Sequence, residues 1–319
     1  MRWGILGAAN FARQHMGPAI HAAKGSELVA LATSDAAKAD QFSAFAPGLR
    51  VHVDYDALLA DDGVDAVYIP LPNHLHVDWT IKALNAGKHV LCEKPIALKA
   101  DDIDRVIAAR DASGKFAAEA FMITHHPQFA RARALVQDGT IGSLRHADAL
   151  FTFNNPDAAN IRNKPETGGG ALPDIGVYAL GAVRYVTMAE PVAITHARVD
   201  FENGVDVFAQ IAADFGGFTY SGLVSTRMQP AQRVTFHGDK GILTMTAPFN
   251  AGVYDQAELI IETQGGVRSI ERWPGVNQYV LQVEAFAAAA QAGADYACPL
   301  EFSRGTQAMM DLVYAAAKG

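Results

Sequence analysis

Cysteine is scarce in this chain. Only Cys92 and Cys298 occur among 319 residues, far apart and without the spacing of a metal knuckle or a disulfide framework. Both read as buried free thiols, the common state of cysteine in a folded core. Long hydrophobic runs are missing as well, so no segment reaches the length of a membrane span. Charge of one sign is nowhere concentrated. The formal charge of −8 is spread along the chain, which lacks the basic face that nucleic-acid binding requires. The histidines are scattered, and the adjacent His125 and His126 cannot both line one face of a regular element, so no metal site is expected. Internal repeats and low-complexity linkers are also lacking. Met1-Arg2-Trp3-Gly4-Ile5-Leu6 passes straight into a strand pattern with no room for a signal peptide, and a reducing cytoplasm is the expected location.

What is present suits a globular protein with ample core. Apolar residues make up 50% of the chain and aromatics 9%, and 319 residues are long for one core, so two domains are expected. Short apolar runs at 3–6, 28–32, 66–69, 89–92 and 116–120 alternate with helical patterns. Val77, Ile81 and Leu84 share one helix face, with Gly87 where a C-terminal cap belongs. Ile103, Val106 and Ile107 repeat the pattern, and that helix stops near Gly114. Strands spaced by such helices imply a doubly wound parallel sheet covered on both faces, an α/β dinucleotide-binding (Rossmann) arrangement over residues 1–122.

Beyond residue 144 the period changes to two. Val205, Val207, Ala209, Ile211, Ala213 and Phe215 alternate with polar positions such as Asp206, Gln210 and Asp214. Segments 218–226, 233–237 and 242–246 continue the pattern, with Gly216-Gly217 and Gly238-Asp239-Lys240-Gly241 as turns. Residues 278–292 and 303–317 read as amphipathic helices. Residues 123–319 are therefore expected to form an α+β domain with an open-faced, largely antiparallel sheet.

Gly7-Ala8-Ala9-Asn10-Phe11-Ala12 follows the first strand and opens a helix. It fits G-x-G-x-x-G with alanine at the second and third glycine positions. Gly7 would make the tight turn, Ala9 a slightly less open approach to a pyrophosphate, and Ala12 close helix–strand packing. The free N–H groups of the helix start suit a phosphate. The second strand ends Ala32-Thr33-Ser34-Asp35, with Lys38 one helical turn on. Thr33, Ser34 and Lys38 could hold a 2′-phosphate, which favours NADP over NAD, while Asp35 reads as a helix N-cap. Pro70-Leu71-Pro72-Asn73-His74-Leu75-His76 leaves a later strand at the end where such sheets bind ligands. Asn73 is placed to cap the next helix or touch the nicotinamide ribose. His76 reads as packing or a local hydrogen bond in preference to a proton carrier. Two further segments carry chemistry: Cys92-Glu93-Lys94-Pro95, and Gly168-Gly169-Gly170-Ala171-Leu172-Pro173-Asp174-Ile175-Gly176-Val177-Tyr178. A lysine, with an Asp and a Tyr four residues apart at a helix start, can surround one reacting carbon.

With these motifs the chain resembles the family named for glucose-fructose oxidoreductase, inositol dehydrogenase and MocA. The matching segments are 4–9, 69–74, 87–95, 119–122 and 168–178, in order across more than half the chain. The resemblance implies hydride transfer between NAD(P) and a CH–OH carbon of a sugar, polyol or diol, and dimers or tetramers formed through the second sheet. It implies Lys94, Asp174 and Tyr178 as the catalytic residues. Leu71, Pro72, Asn73, His76, Glu93 and Lys94 join the Gly7–Phe11 turn as cofactor contacts. Tyr178, where many members carry histidine, together with Asn160-Ile161-Arg162, is similar to the branch of xylose-type aldose 1-dehydrogenases and dihydrodiol dehydrogenases. There Thr33 with Lys38 resembles a 2′-phosphate site, and Arg162 an arginine that reaches the cofactor or substrate. Tyr178 is the expected acid/base, its phenol made more acidic by an ammonium. A desolvated Lys94 in that role is the alternative. Phe121, Met122 and Phe153 could line an apolar wall or serve the core. An aldose 1-dehydrogenase is the first expectation. A dihydrodiol dehydrogenase, a sugar ketone reductase, an NAD-dependent glycosidase and a non-catalytic cofactor-bound sensor are the others.

Overall fold

The computed structural model describes residues 1–318. Their contacts divide into two units: Met1–His125 with Asn277–Arg304, and His126–Val276 with the residues from Gly305 onward. The first unit holds six strands, β1 (Arg2–Leu6), β2 (Glu27–Ala32), β3 (Arg50–His52), β4 (Ala66–Ile69), β5 (His89–Cys92) and β6 (Ala117–Glu119). They pair in the order β3-β2-β1-β4-β5-β6, every pair parallel. The strand order reverses between β1 and β4, the place where open α/β sheets bind ligands. Ala66-Val67-Tyr68-Ile69 is buried at every position, as a strand covered on both faces must be. The connecting helices are α1 (Gly17–Ala22), α2 (Ala36–Ser43), α3 (Tyr55–Leu59), α4 (His76–Asn85) and α5 (Ala100–Ser113). Gly114, with φ +64°, ends α5, and Gly87, with φ +78°, follows α4.

A π-turn at Ala12–Met16 runs into α1. Pro18 has no N–H to give the helix, and the Gly17 N–H bonds five residues back to the Ala12 carbonyl.

The second unit is built on an eight-stranded sheet. Its strands are β7 (Leu144–Asn154), β8 (Ala193–Glu202), β9 (Val205–Asp214), β10 (Thr219–Ser225), β11 (Arg227–Gly238), β12 (Gly241–Met245), β13 (Glu258–Thr263) and β14 (Val267–Arg272). The order is β14-β13-β12-β11-β7-β10-β9-β8, and β7–β10 is the one parallel pair. This unit also holds α6 (Pro127–Gln137) and α7 (Val177–Thr187), buried from Val177 to Val186, which packs on β7, β10 and β11. Val207, Ala209 and Ile211 are buried beneath that layer, while Gln210, Arg233 and His237 face out.

Two helices close the chain, α8 (Gln278–Ala292) and α9 (Leu300–Ala316). The sequence reading assigned all of 123–319 to the second domain, but residues 277–304 pack with the first. The reason is aromatic: Phe286 of α8 lies 5.0 Å from Trp3 and 5.0 Å from Phe116, ring centroid to ring centroid. Cys92 and Cys298 are both buried and unbridged. Among the described residues no helix is long and apolar enough to cross a membrane.

Candidate active site

In the first unit the expected cofactor residues cluster at the carboxyl ends of β1, β2, β4 and β5. Gly7 leaves β1 with φ +106°, and its N–H donates to the Ala32 carbonyl at 3.0 Å. A methyl group there would stand 3.0 Å from Leu71 Cδ2, so strain and space both require glycine. The helix begins at Asn10, which leaves the first N–H groups of the turn without intrahelical acceptors. Ala12 is fully buried against the sheet, the close packing expected of the third motif position. Positive φ at Gly7, a helix N-terminus behind it and the strand reversal beside it fit a dinucleotide. Phe11 is engaged within the unit, its ring 5.0 Å from His15 and 5.7 Å from Tyr279.

At the end of β2, Asp35 accepts from the Lys38 N–H at 3.2 Å and so caps α2. Thr33 Oγ1 accepts from the Asp35 N–H at 3.2 Å. The Lys38 ammonium stands 3.8 Å from Asp35 and is largely exposed, available to an anion at this strand end.

After β4, Asn73 opens a single 3-10 turn, Asn73–Leu75. The start of α4 has no side-chain cap, so Asn73 is not its N-cap. His76 is fully buried, with Nδ1 2.8 Å from the Pro95 carbonyl and Nε2 2.7 Å from the Leu71 carbonyl. That is the local hydrogen bonding expected of it. It also corrects the inclusion of His76 among the cofactor contacts, because both ring nitrogens already face backbone.

At the end of β5, the Glu93 N–H donates to the Ile69 carbonyl, and Tyr68 Oη donates to Glu93 Oε1 at 2.5 Å. Burial pushes the Glu93 carboxyl above the usual carboxylate range, while the Tyr68 bond and the Lys94 charge pull it back. The Lys94–Pro95 peptide is cis.

In the second unit Asn160 caps the 3-10 turn Ile161–Asn163. Arg162 Nε then donates to Asp174 Oδ2 at 2.8 Å, which brings two predicted site residues together as an ion pair. Asp174 sits in a second π-turn, Leu172–Gly176, with Pro173 near its start, and Tyr178 follows in α7. The Tyr178 ring packs 5.9 Å from Phe151 and 5.8 Å from Phe249, which stack on each other at 4.7 Å. Phe121 and Met122 are buried in the first unit, as core packing requires. Phe153 is partly exposed on β7.

One residue escaped the sequence reading. Asp206 stands at a polar position of the alternating strand, yet it is buried. Its Oδ2 accepts from the Leu172 N–H at 2.6 Å and its Oδ1 from Tyr314 Oη at 2.7 Å. A carboxylate from another strand thus caps the start of the helix that carries Asp174 and Tyr178. Burial pushes this carboxyl up, and the Leu172 and Tyr314 donors pull against that. Gly170, with φ +142°, is the space this cap needs, since a methyl group there would be built into the Asp206 carboxylate.

Comparison with known proteins agrees with this geometry. Residues 1–121 match the oxidoreductase family with an NAD-binding Rossmann fold, and residues 129–244 match the GFO/IDH/MocA C-terminal domain. Over 100% of its length the chain is 37% identical to an uncharacterized oxidoreductase of Rhizobium meliloti, covering 97% of that protein. It is 34% identical, again over 100% of its length, to a D-xylose 1-dehydrogenase (NADP(+)) of Haloferax volcanii, covering 98% of it. A solved 3-ketoreductase from Actinomadura kijaniata, in complex with NADP and TDP-benzene, aligns with a TM-score of 0.91 at 31% identity. That alignment covers 99% of this chain and 97% of the other. The chain belongs to the glucose-fructose oxidoreductase, inositol dehydrogenase and MocA family of oxidoreductases.

Proposed function

We propose that this oxidoreductase is an NADP-dependent aldose 1-dehydrogenase, oxidising the anomeric CH–OH carbon of a free sugar. The observation that carries the reading is the full-length similarity to a D-xylose 1-dehydrogenase, in a chain that has Lys94, Asp174 and Tyr178. Bound NADP supplies the hydride acceptor. The chain's residues supply position and proton movement. The Gly7–Phe11 turn receives the pyrophosphate at the start of its helix, with Ala8 and Ala9 small enough to let it approach. Thr33, Ser34 and Lys38 hold the 2′-phosphate. Leu71, Pro72, Asn73 and Glu93 frame the nicotinamide end.

Lys94 donates to the substrate oxygen and stabilises negative charge as it develops there. Tyr178 takes the hydroxyl proton, and Asp174, held by Arg162, orients neighbouring sugar hydroxyls. The exposed face of the eight-stranded sheet joins copies of the chain as a dimer or tetramer, in a cytoplasmic setting.

A sugar ketone reductase is the second reading, supported by the likeness to the 3-ketoreductase. The test is the near-ultraviolet absorbance of reduced nicotinamide, with NADP or NAD and a panel of aldopentoses, aldohexoses and a dihydrodiol, then NADPH with keto sugars. NADPH formation on an aldopentose is expected. Turnover of keto sugars alone would give the reaction to the second reading. Cofactor binding with no turnover on any of them would make the protein a sensor.

A further inference from the structure

Two turns leave neighbouring strands of the first unit, and one side chain touches both. His76, fully buried at the start of α4, sets Nε2 against the Leu71 carbonyl after β4. It sets Nδ1 against the Pro95 carbonyl after β5, one residue beyond Lys94. Both distances, 2.7 and 2.8 Å, are at the short end for N–H···O bonds.

We propose that His76 is a positioning residue whose ring ties the Leu71 turn to the Lys94–Pro95 turn, and so fixes the backbone from which Lys94 projects. The consequence for turnover rests on the reading of Lys94 given above; the tie itself does not. Lys94 is carried by a short turn that is held before it by the Glu93 N–H bond to the Ile69 carbonyl and after it by the Ile96 N–H bond to Glu119 Oε1 at 2.9 Å. The ring adds a hold at the Pro95 carbonyl, the residue next to the lysine, and so restrains its direction more closely. Misplacing a reacting group by about 1 Å can lower turnover about a hundredfold.

The donor count adds a dependence on pH. A neutral imidazole has one N–H, whereas both carbonyls are satisfied only by a ring with two protons. The ionisable groups whose charge acts on the ring are Lys94 and His74, and both disfavour that second proton, as burial does. The tie is therefore complete at low pH. It is half-made once the ring is neutral, when one turn is released.

The experiment uses the full chain as wild type, His76→Ala and His76→Gln. Amide hydrogen exchange is read over residues 70–76 and 93–97, alongside kcat and KM on the best sugar. At a pH below the ring's titration, His76→Ala is expected to speed exchange in both segments and to lower kcat about a hundredfold, with a much smaller change in KM. His76→Gln, whose amide can donate to one carbonyl, should protect one segment and recover part of the turnover. Raising the pH through the ring's titration, followed by imidazole ¹⁵N shifts, should speed exchange in one segment of the wild type and in neither segment of His76→Ala.

Unchanged exchange in either segment of His76→Ala below the ring's titration overturns the tie. Faster exchange in both with unchanged kcat overturns its role in placing Lys94. If the wild type turns over no sugar, exchange alone decides the tie, so the two readings fail separately.

Discussion

A single methyl group at Gly170 measures how firmly the Asp174–Tyr178 helix is held. The new carbon would overlap Asp206 Oδ1 and lie 3.0 Å from Pro173 Cδ. The carboxylate cannot retreat freely, because Leu172 N–H and Tyr314 Oη hold its two oxygens. Retreat breaks at least one of these buried bonds, and each broken bond costs about 1–3 kcal/mol. Alanine at φ +142° adds about 1–3 kcal/mol of backbone strain. Gly170→Ala should therefore destabilise the second unit by about 2–6 kcal/mol. In an Asp206→Ala background the overlap is gone and only the strain remains. The same substitution should then cost about 1–3 kcal/mol less, a coupling that a double-mutant cycle reads directly. The two units need not unfold together, so the transition is best followed in urea on Trp273 of the second unit, with hydrogen exchange over 171–187 as the local measure. Equal destabilisation in both backgrounds would mean that the carboxylate does not fill that space, and the capping role of Asp206 would fall.

The other predictions address the cofactor, the ion pair, the acid/base and acid stability. Lys38→Ala should weaken NADP binding about tenfold, roughly 1.4 kcal/mol, and leave NAD binding unchanged in fluorescence titration. Equal weakening of both would move the 2′-phosphate elsewhere. Arg162→Met removes the donor to Asp174 and should lower kcat/KM about 10- to 100-fold, as expected for a hydrogen bond to a charged group. Arg162→Lys should recover little, because the Nε geometry is lost; full recovery would reduce the arginine to a charge. Tyr178→Phe should lower kcat about a hundred- to ten-thousandfold, and near-normal turnover would end its acid/base assignment. Burial lowers the His125 and His126 rings from 6.5 to about 4. Between those values the unfolded chain takes up protons that the folded chain refuses, so stability is lost as pH falls from 6.5 toward 4. Each ring contributes at most about 3 kcal/mol to that loss. Thermal melts of His125→Phe should show a shallower decline than the wild type over this range; identical slopes would show that the ring is hydrated.

The elements legible in the sequence were those whose burial leaves a pattern along the chain. Segments 66–69 and 89–92 are short apolar runs between helices, and they match β4 and β5 end to end. Residues 278–292 match α8. β3 was missed because Arg50-Val51-His52 is an exposed edge of three residues with nothing apolar to repeat. β8 and β14 are largely exposed for the same reason. The first π-turn had a signal in Pro18, set well inside the helix that begins at Asn10, where its missing N–H displaces the hydrogen-bond register.

Site residues divide in the same way. Those read correctly announce themselves through local chemistry: Asp35 caps its own helix, and Gly7 turns its own strand. The roles the sequence does not show come from a distant partner. Strand alternation marks Asp206 as a polar position of β9, but it cannot say that a helix N-terminus covers it. The local hydrogen bond expected of His76 is there, but the second carbonyl on its ring belongs to the next strand's turn, which the local sequence does not contain. The glycine run shows both cases at once. Gly168, Gly169 and Gly170 marked a turn on sight, yet the reason that Gly170 can be nothing larger lies on β9, in a carboxylate the local sequence does not contain.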